Sequence, residues 1–326
     1  MGGNAIKDAR RIDYAELCII ETEIKTKLSQ FDVDMDWEIP AAYRKKETFG
    51  DIDILITYKS DNWKDNILKI FRPSQHSSNG NCLSIDYDGV QVDFIYYETY
   101  SEFLTAYNYF SWNDLGNLLG RVAHKNGMKF GHDGLWLRVE YEGTYLGYVK
   151  VTDNMKSILK ILGYDYKRWA IGFDTLEDIF QFVVSSQHFD PSSYEYEALD
   201  HQNRLRNRKR KVYQAFLEWL KDKTFPSPSP IYLGLHDTNV FTKRDALIEN
   251  HKMQKYLKQF FNGNIVTEFT GLTGKELGEF MSEYKNQYQS FDVHVLSEIE
   301  RHGSMEKTIM EFYNAKKDLR DRTECP

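Results

Sequence analysis

The stretch Tyr43-Arg-Lys-Lys-Glu-Thr-Phe-Gly-Asp51-Ile-Asp53-Ile-Leu-Ile56 decides the reading of this chain, together with Val90-Gln-Val-Asp93-Phe-Ile-Tyr-Tyr97 further on. The apolar run after Gly50 predicts a β-strand, and Gly50 is expected to permit a tight turn into it. Asp51 and Asp53 are two residues apart, so on a strand both carboxylates face the same side. Asp93 lies in a second apolar run and can join them from a neighbouring strand. Three carboxylates at one sheet edge repel one another unless cations neutralise them, and hard oxygen ligands with open positions suit Mg²⁺. Two Mg²⁺ ions there, with Mn²⁺ as the alternative, would activate an attacking hydroxyl and stabilise a leaving pyrophosphate, which is nucleotidyl transfer. Arg44, Lys45 and Lys46 just upstream are placed to face triphosphate oxygens. An isolated Gly-Asp-x-Asp also fits an ordinary strand entry with solvated acids. The basic run, the apolar strand and Asp93 together favour the metal site.

A chain of 326 residues, with 41% hydrophobic and 15% aromatic content, is long enough for two or three domains with their own cores. The formal net charge of −7 argues weakly against a nucleic-acid binder, but a local basic patch outweighs the sum. Such a patch is present: Arg204, Arg206, Arg208, Lys209, Arg210 and Lys211 fall within one short run. Three irregularly spaced cysteines, Cys18, Cys82 and Cys325, predict neither a disulfide framework nor a thiolate zinc site, and fit a reducing cytosol. The chain lacks an apolar run of the ~20 residues a membrane span needs. It also shows no signal-peptide pattern, so a cytoplasmic protein with no membrane partner is expected.

Along the chain, residues 13–30 read as an amphipathic helix, with Leu17, Ile20, Ile24 and Leu28 at helical spacing. A helix is expected over 61–71, with Asp61 as its N-cap, then a Ser/Asn/Gly loop over 73–81 and a hairpin around Tyr87-Asp-Gly89. Helices follow at 101–108 and 114–125, and short strands between 128 and 149. After that the pattern is helical, with 154–162, 175–185 and one or two helices over 194–223. Pro226-Ser-Pro-Ser-Pro230 reads as a stiff linker and the best domain boundary. Helices are expected at 243–261, 274–288 and 293–320.

The segment Ala41 to Ile56 resembles the palm motif of family X (polymerase β-like) DNA polymerases, within the nucleotidyltransferase superfamily. Val92-Asp-Phe resembles the strand that carries that family's third metal-binding carboxylate. Tyr100-Ser-Glu-Phe, leading into Tyr109-Phe-Ser-Trp-Asn-Asp-Leu-Gly-Asn117-Leu-Leu-Gly-Arg121, looks like its Tyr-Phe-Thr-Gly-Ser segment and the helix that closes on the nucleotide. Thr175-Leu-Glu-Asp-Ile-Phe180 resembles a later segment, with an insertion near 152–173. The resemblance implies that Asp51 and Asp53 hold both Mg²⁺ ions and that Asp93 holds the catalytic one. It implies that Arg44 and Lys45 face the triphosphate, with Lys46 interchangeable with Lys45. Tyr109 and Phe110 would sit by the sugar, Asn117 at the base edge, and Arg121 on the template strand. The sequence departs from the pattern in four ways: Ala41-Ala42 replaces Gly-Ser, one residue of the basic loop is deleted, Trp112 replaces a Gly, and Gln91 replaces an Arg. They bear on triphosphate affinity and nucleotide choice.

Some motifs keep a plainer reading beside the functional one. Tyr109 and Phe110 also suit a core, and Asn117 and Arg121 share one helix face in either case. The 204–211 run suits phosphate contacts or a solvated face. Gly271, Gly274 and Lys275 resemble a phosphate-binding helix start, as in a helix-hairpin-helix or the C-terminal part of CCA-adding enzymes, or are a plain helix connection. His132-Asp133 and His236-Asp237 read as loop residues.

The expectation is therefore an α+β protein. Residues 1–39 would form an N-terminal helix, and 40–108 a nucleotidyltransferase palm with a mixed β-sheet. Residues 109–194 would form a small αβ nucleotide-closing domain, and 195–326 a helical nucleic-acid-binding extension. Its partners would be a dNTP and a DNA primer-template in gap-filling repair, as in small phage-like members. The rivals are an RNA or tRNA 3′-end transferase using NTPs, a template-independent transferase, a transferase acting on a protein or small molecule, and a non-catalytic nucleic-acid-binding protein.

Overall fold

The computed structural model describes residues 5–29, 35–58, 62–233 and 238–323. The chain divides into two compact units, Met1–Val139 with Tyr148–Val240, and Glu140–Gly147 with Phe241–Pro326. The first is mixed α and β; the second is helical apart from a hairpin tip.

A five-stranded mixed sheet organises the first unit. Strands β1 (Ile12–Asp13) and β3 (Thr48–Phe49) make a small antiparallel pair at its side. The main sheet has the order β2 (Met35–Glu38), β4 (Asp51–Tyr58), β7 (Val90–Tyr97), β6 (Cys82–Tyr87), β5 (His76–Asn79). Only β4 and β7 pair in parallel. They occupy the centre because their sequences are near-continuous apolar runs that suit burial on both faces. The β6–β7 turn places Asp88 and Gly89 at φ 51° and 78°. Two consecutive left-handed residues make the tight hairpin that the Asp-Gly pair predicts.

Each face of this sheet has its own cover. Ile52, Ile54, Ile56, Val92 and Phe94 pack against α1 (Tyr14–Ser29) and α2 (Trp63–Phe71) through Ile20, Ile24, Leu28, Ile67 and Phe71. The other face carries Asp51, Asp53 and Leu55 on β4, and Asp93, Ile95 and Tyr97 on β7. Helix α3 (Tyr100–Phe110) covers Leu55, Ile95 and Tyr97 with Phe103 and Ala106. It caps the apolar ends of the strands, and the carboxylates lie beyond that apolar cluster.

A second core in the same unit surrounds α4 (Leu115–Lys125). Leu118, Leu119 and Val122 pack with Phe130 of β8 (Met128–Gly131) and Leu135 of β9 (Gly134–Tyr141). Strand β10 (Thr144–Thr152) completes this three-stranded sheet. Helices α5 (Met155–Ile161), α6 (Tyr166–Ile171) and α7 (Leu176–Val184) add Ile158, Trp169 and Phe180. After a 3₁₀ turn, α8 (His201–Asn207) and α9 (Lys211–Leu220) follow, and Tyr213 and Phe216 of α9 enter the same core.

The second unit contains α10 (Thr238–Leu257) from Phe241 onward, α11 (Gly263–Thr270), α12 (Gly274–Asn286), α13 (Phe291–His302) and α14 (Glu306–Thr323). Its core is Leu257, Phe261, Val266, Phe280, Tyr284, Val295, Met305 and Ile309. The hairpin tip joins it through Glu142 paired with Lys255 at 2.9 Å and Tyr141 edge-on to His251.

Several boundaries differ from expectation for physical reasons. Among the described residues before 40, α1 covers the main sheet and β2 is one of its edge strands, so the expected separate N-terminal helix is part of this unit. The expected loop over 73–81 contains β5, whose polar Ser and Asn side chains suit an exposed edge. The core crosses residue 195 through Tyr213 and Phe216. The Pro-Ser segment is strapped down: Ser229 N–H donates to the Gln187 carbonyl at 2.8 Å, and His188 Nδ1 meets the Ser229 carbonyl at 2.7 Å. The unit boundary falls after Val240 instead. The expected helix over 293–320 is divided by Gly303, a left-handed C-cap at φ 72°. Asp61 and His236-Asp237 lie outside the described residues.

Two helix glycines give opposite stability predictions. A Cβ on Gly116 of α4 would lie 2.3 Å from the Tyr109 carbonyl oxygen, whereas a Cβ on Gly278 of α12 meets nothing. Gly116→Ala is expected to lose about 2–3 kcal/mol from overpacking. Gly278→Ala is expected to gain about 0.5–1 kcal/mol. Urea unfolding of both variants checks the signs.

Candidate metal centre

The parallel register aligns Asp51 with Gln91, Ile52 with Val92 and Asp53 with Asp93. Neighbouring strands lie about 4.8 Å apart, so Asp53 and Asp93 stand side by side on one face. Asp51 lies two residues earlier on that face. One oxygen from each of the three carboxylates falls within 4.8 Å of the others. Asp93 is buried; Asp51 and Asp53 are half-buried. A hard cation with ligands at about 2.1 Å fits such a set after small side-chain rotations. The donor chemistry, three hard oxygens and no soft ligand, suits Mg²⁺ or Mn²⁺.

The electrostatics show what the cluster costs without a cation. Burial, then the neighbouring Asp51 charge, pushes the Asp53 carboxyl up to about 7. Burial also raises Asp93, opposed by hydrogen bonds from Ser84 and Gln91. The Gln91 amide donates to both Asp93 oxygens, at 2.9 and 3.0 Å. Burial lowers the Lys46 ammonium, while Asp51, Asp53 and Asp114 hold it up. Lys46 Nζ sits 4.3 Å from the Phe49 ring centre.

Arg11, which the sequence reading passed over, joins this group. Its Nη2 donates to the Thr48 carbonyl at 3.1 Å and to the Thr48 hydroxyl at 2.9 Å. It also lies close to Gly50. That residue has no positive φ, so the turn does not require a glycine. Instead a Cβ there would meet Arg11 Nη1 at 2.7 Å. Arg11 is exposed, and its guanidinium is the far end of a flexible side chain that can move aside.

The basic loop is tied to two turns. Trp112 N–H donates to the Ala41 carbonyl, and Tyr43 N–H to Asn113 Oδ1 at 3.2 Å. Arg44 and Lys45 N–H groups donate to the carbonyls of Phe173 and Asp174, at 3.0 and 2.8 Å. Arg44 pairs with Asp174 at 2.6 Å and also donates to the Ile171 carbonyl. Both Arg44 and Lys45 are exposed. Trp112 and Asn113 keep left-handed backbones, φ 65° and 60°, a conformation that a Gly adopts without strain. Such a Trp costs about 1–2 kcal/mol of backbone strain. Its ring packs edge-on to Phe173 at 5.5 Å and over Gly172, where a Cβ would come within 2.3 Å.

Tyr109 and Phe110 end α3 half-buried, with Tyr109 edge-on to Phe130 at 5.1 Å and Phe110 stacked on His132 at 6.3 Å. His132 and Asp133 form the β8–β9 turn, as expected of loop residues. Burial raises the Tyr109 phenol, and Arg206 and Arg210 lie within electrostatic reach of it. Asn117 Nδ2 donates to Asn207 Oδ1 at 3.1 Å. Arg121 requires a correction. It is 5% exposed, and its Nε donates to the Ser193 carbonyl at 3.1 Å. It fastens α4 to the following segment and is closed off from a template strand.

The basic run divides by exposure. Arg204 donates to the Leu199 carbonyl at 2.9 Å, and Arg210 is paired with Asp114. Arg206, Arg208, Lys209 and Lys211 face solvent, with Arg208 lying 5.5 Å from the Tyr196 ring centre. Gly271 is the left-handed C-cap of α11, its N–H bonded to the Thr267 carbonyl at 2.8 Å. Gly274 opens α12, and Lys275 is exposed beside Glu279 at 3.5 Å. These contacts describe a helix connection.

Comparison with protein-family models and with curated proteins found no match. The fold is mixed α and β with a mixed sheet, and among the described residues no helix is long and apolar enough to cross a membrane.

The raised Asp53 carboxyl sets a pH signature. Metal binding requires its ionised form, so Mn²⁺ affinity is expected to fall about tenfold per pH unit below pH 7 and to level off above it. The sign for stability is opposite. The folded state takes up a proton between about pH 4 and 7 that the unfolded state does not, so the metal-free protein loses stability as pH rises through that window. Asp53→Asn should raise the metal-free Tm at pH 8 and remove both dependences. Mn²⁺ titration by electron paramagnetic resonance and thermal melts from pH 5 to 8.5 test this.

Proposed function

We propose that this chain is a Mg²⁺-dependent nucleotidyltransferase of the family X type, with the five-stranded sheet as its palm. It adds a dNMP from a dNTP to a DNA 3′-hydroxyl. The observation that carries the reading is the alignment of Asp53 with Asp93 on parallel strands, with Asp51 on the same face. When bound, Mg²⁺ supplies activation of the attacking hydroxyl and charge neutralisation at the leaving pyrophosphate. Asp51 and Asp53 hold the ions, and Asp93 orients the 3′-hydroxyl for in-line attack on the α-phosphate. Lys46 and Arg11 supply positive charge for the departing pyrophosphate. Arg44 shares an exposed pair with Asp174, worth about 1 kcal/mol or less, so a triphosphate can displace that carboxylate. Tyr109, Phe110 and Asn117 line the nucleotide side, and the exposed part of the basic run follows the nucleic-acid backbone.

Extension of a labelled primer on one-nucleotide-gapped DNA, with Mg²⁺ and single dNTPs, tests the reading. Template-matched addition is expected, falling by at least about 10³-fold in Asp93→Ala. Unchanged extension in Asp51→Ala/Asp53→Ala would overturn the assignment. Addition of NTPs to a tRNA lacking its 3′ end, but not to gapped DNA, would move it to RNA end repair. The backbone contacts have a separate signature. Replacing Arg206, Arg208, Lys209 and Lys211 with Ala should flatten the slope of log K against log salt for duplex DNA by about 3–4. Replacing Arg204 should leave the slope in place and lower Tm.

A further inference from the structure

Gln91 is the most fully committed polar side chain beside the carboxylates, and the site's chemistry alone does not account for it. It is 2% exposed and lies two residues before Asp93 on β7. Its Nε2 donates to both Asp93 oxygens, at 2.9 and 3.0 Å. Its Oε1 accepts from the backbone N–H groups of Ala5 and Ile6, at 2.9 and 3.1 Å. The amide orientation is fixed by chemistry: the arm offers only donors and Asp93 only acceptors, so a flipped amide would oppose both. The arm itself is anchored beyond this point. Ile6 and Ile12 are buried at 4% and 2%, Arg10 N–H donates to the Gly89 carbonyl at 2.8 Å, and Arg11 holds Thr48.

We infer that the N-terminal arm, residues 5–12, is a working part of the metal centre, and that Gln91 is the positioning residue through which it sets the orientation of Asp93. A cationic side chain at position 91 would hold the carboxylate by charge alone. A neutral amide has no such hold, and donates along a defined direction only while something fixes its plane. The two arm N–H groups do that. Both Asp93 oxygens then share one NH₂ group, beside the hydrogen bond from Ser84 to the same carboxylate. The arm thus couples a remote backbone segment to one metal ligand through four hydrogen bonds. The inference rests on reading the three carboxylates as a metal site, and not on which group is transferred.

The test uses the full-length protein and Mn²⁺ alone. Gln91→Met keeps the length and burial of the side chain and removes its polar ends. Ala5→Pro removes one arm donor at an exposed position and leaves Gln91 intact. Gln91→Met is expected to weaken Mn²⁺ binding about 10-fold or more, the usual effect of removing a partner that orients a ligand. Ala5→Pro should weaken it several-fold and broaden the bound-Mn²⁺ resonance. The double variant should bind no more weakly than Gln91→Met. Unchanged affinity and line shape in Gln91→Met or in Ala5→Pro would overturn the inference, as would full additivity in the double variant. If Gln91→Met does not fold, Ala5→Pro decides the question alone. Failure of the unsubstituted protein to bind Mn²⁺, or binding that survives Asp51→Asn/Asp53→Asn, would overturn the metal-site reading itself and the inference with it.

Discussion

Parallel pairing of β4 with β7 places two carboxylates at the same height on adjacent strands, and the rest of the unit accommodates that juxtaposition. Burial first, then the Asp51 charge, raises the Asp53 carboxyl to about 7, and the Asp93 charge adds a smaller push in the same direction. The sheet tolerates the arrangement because the same strands are otherwise strongly apolar. Ile52, Ile54, Val92 and Phe94 bury the opposite face, while Leu55, Ile95 and Tyr97 seal the near face beyond the acids. The acids thus sit at the polar end of a rigid, well-packed support, which fixes a ligand set better than a loop does.

Charge around the acids is arranged in layers. Burial, and to a smaller extent the nearby Arg11 charge, depresses the Lys46 ammonium. Asp114 is close enough to Lys46 and to its partner Arg210 to raise the pKa of each. Beyond it, Arg206 and Arg210 reach Tyr109 electrostatically. Charges of both signs therefore influence one another from the three acids to the basic run.

Legibility from the sequence followed the physics of each segment. The central strands, the Asp-Gly hairpin and α1 to α4 were readable because apolar periodicity and turn chemistry are local properties. So was the convergence of the three acids, since spacing by two puts residues on one face of a strand. β5 was not readable, because an exposed edge strand of Ser and Asn has a loop composition. Arg121 and Arg210 read as surface cations, and only tertiary packing reveals the Ser193 carbonyl and Asp114 that hold them. Trp112 at a left-handed position is a further case. Its strain is tolerated because Gly172, far along the chain, leaves room for the ring.

The most direct measurement is anomalous diffraction at the manganese edge from crystals of the protein grown with Mn²⁺ and a non-hydrolysable dNTP analogue. The account predicts an anomalous peak within coordination distance of Asp51, Asp53 and Asp93, with the analogue's phosphates on the side of Lys46 and Arg11. Manganese bound elsewhere, or the analogue bound with the three carboxylates free of metal, would contradict it.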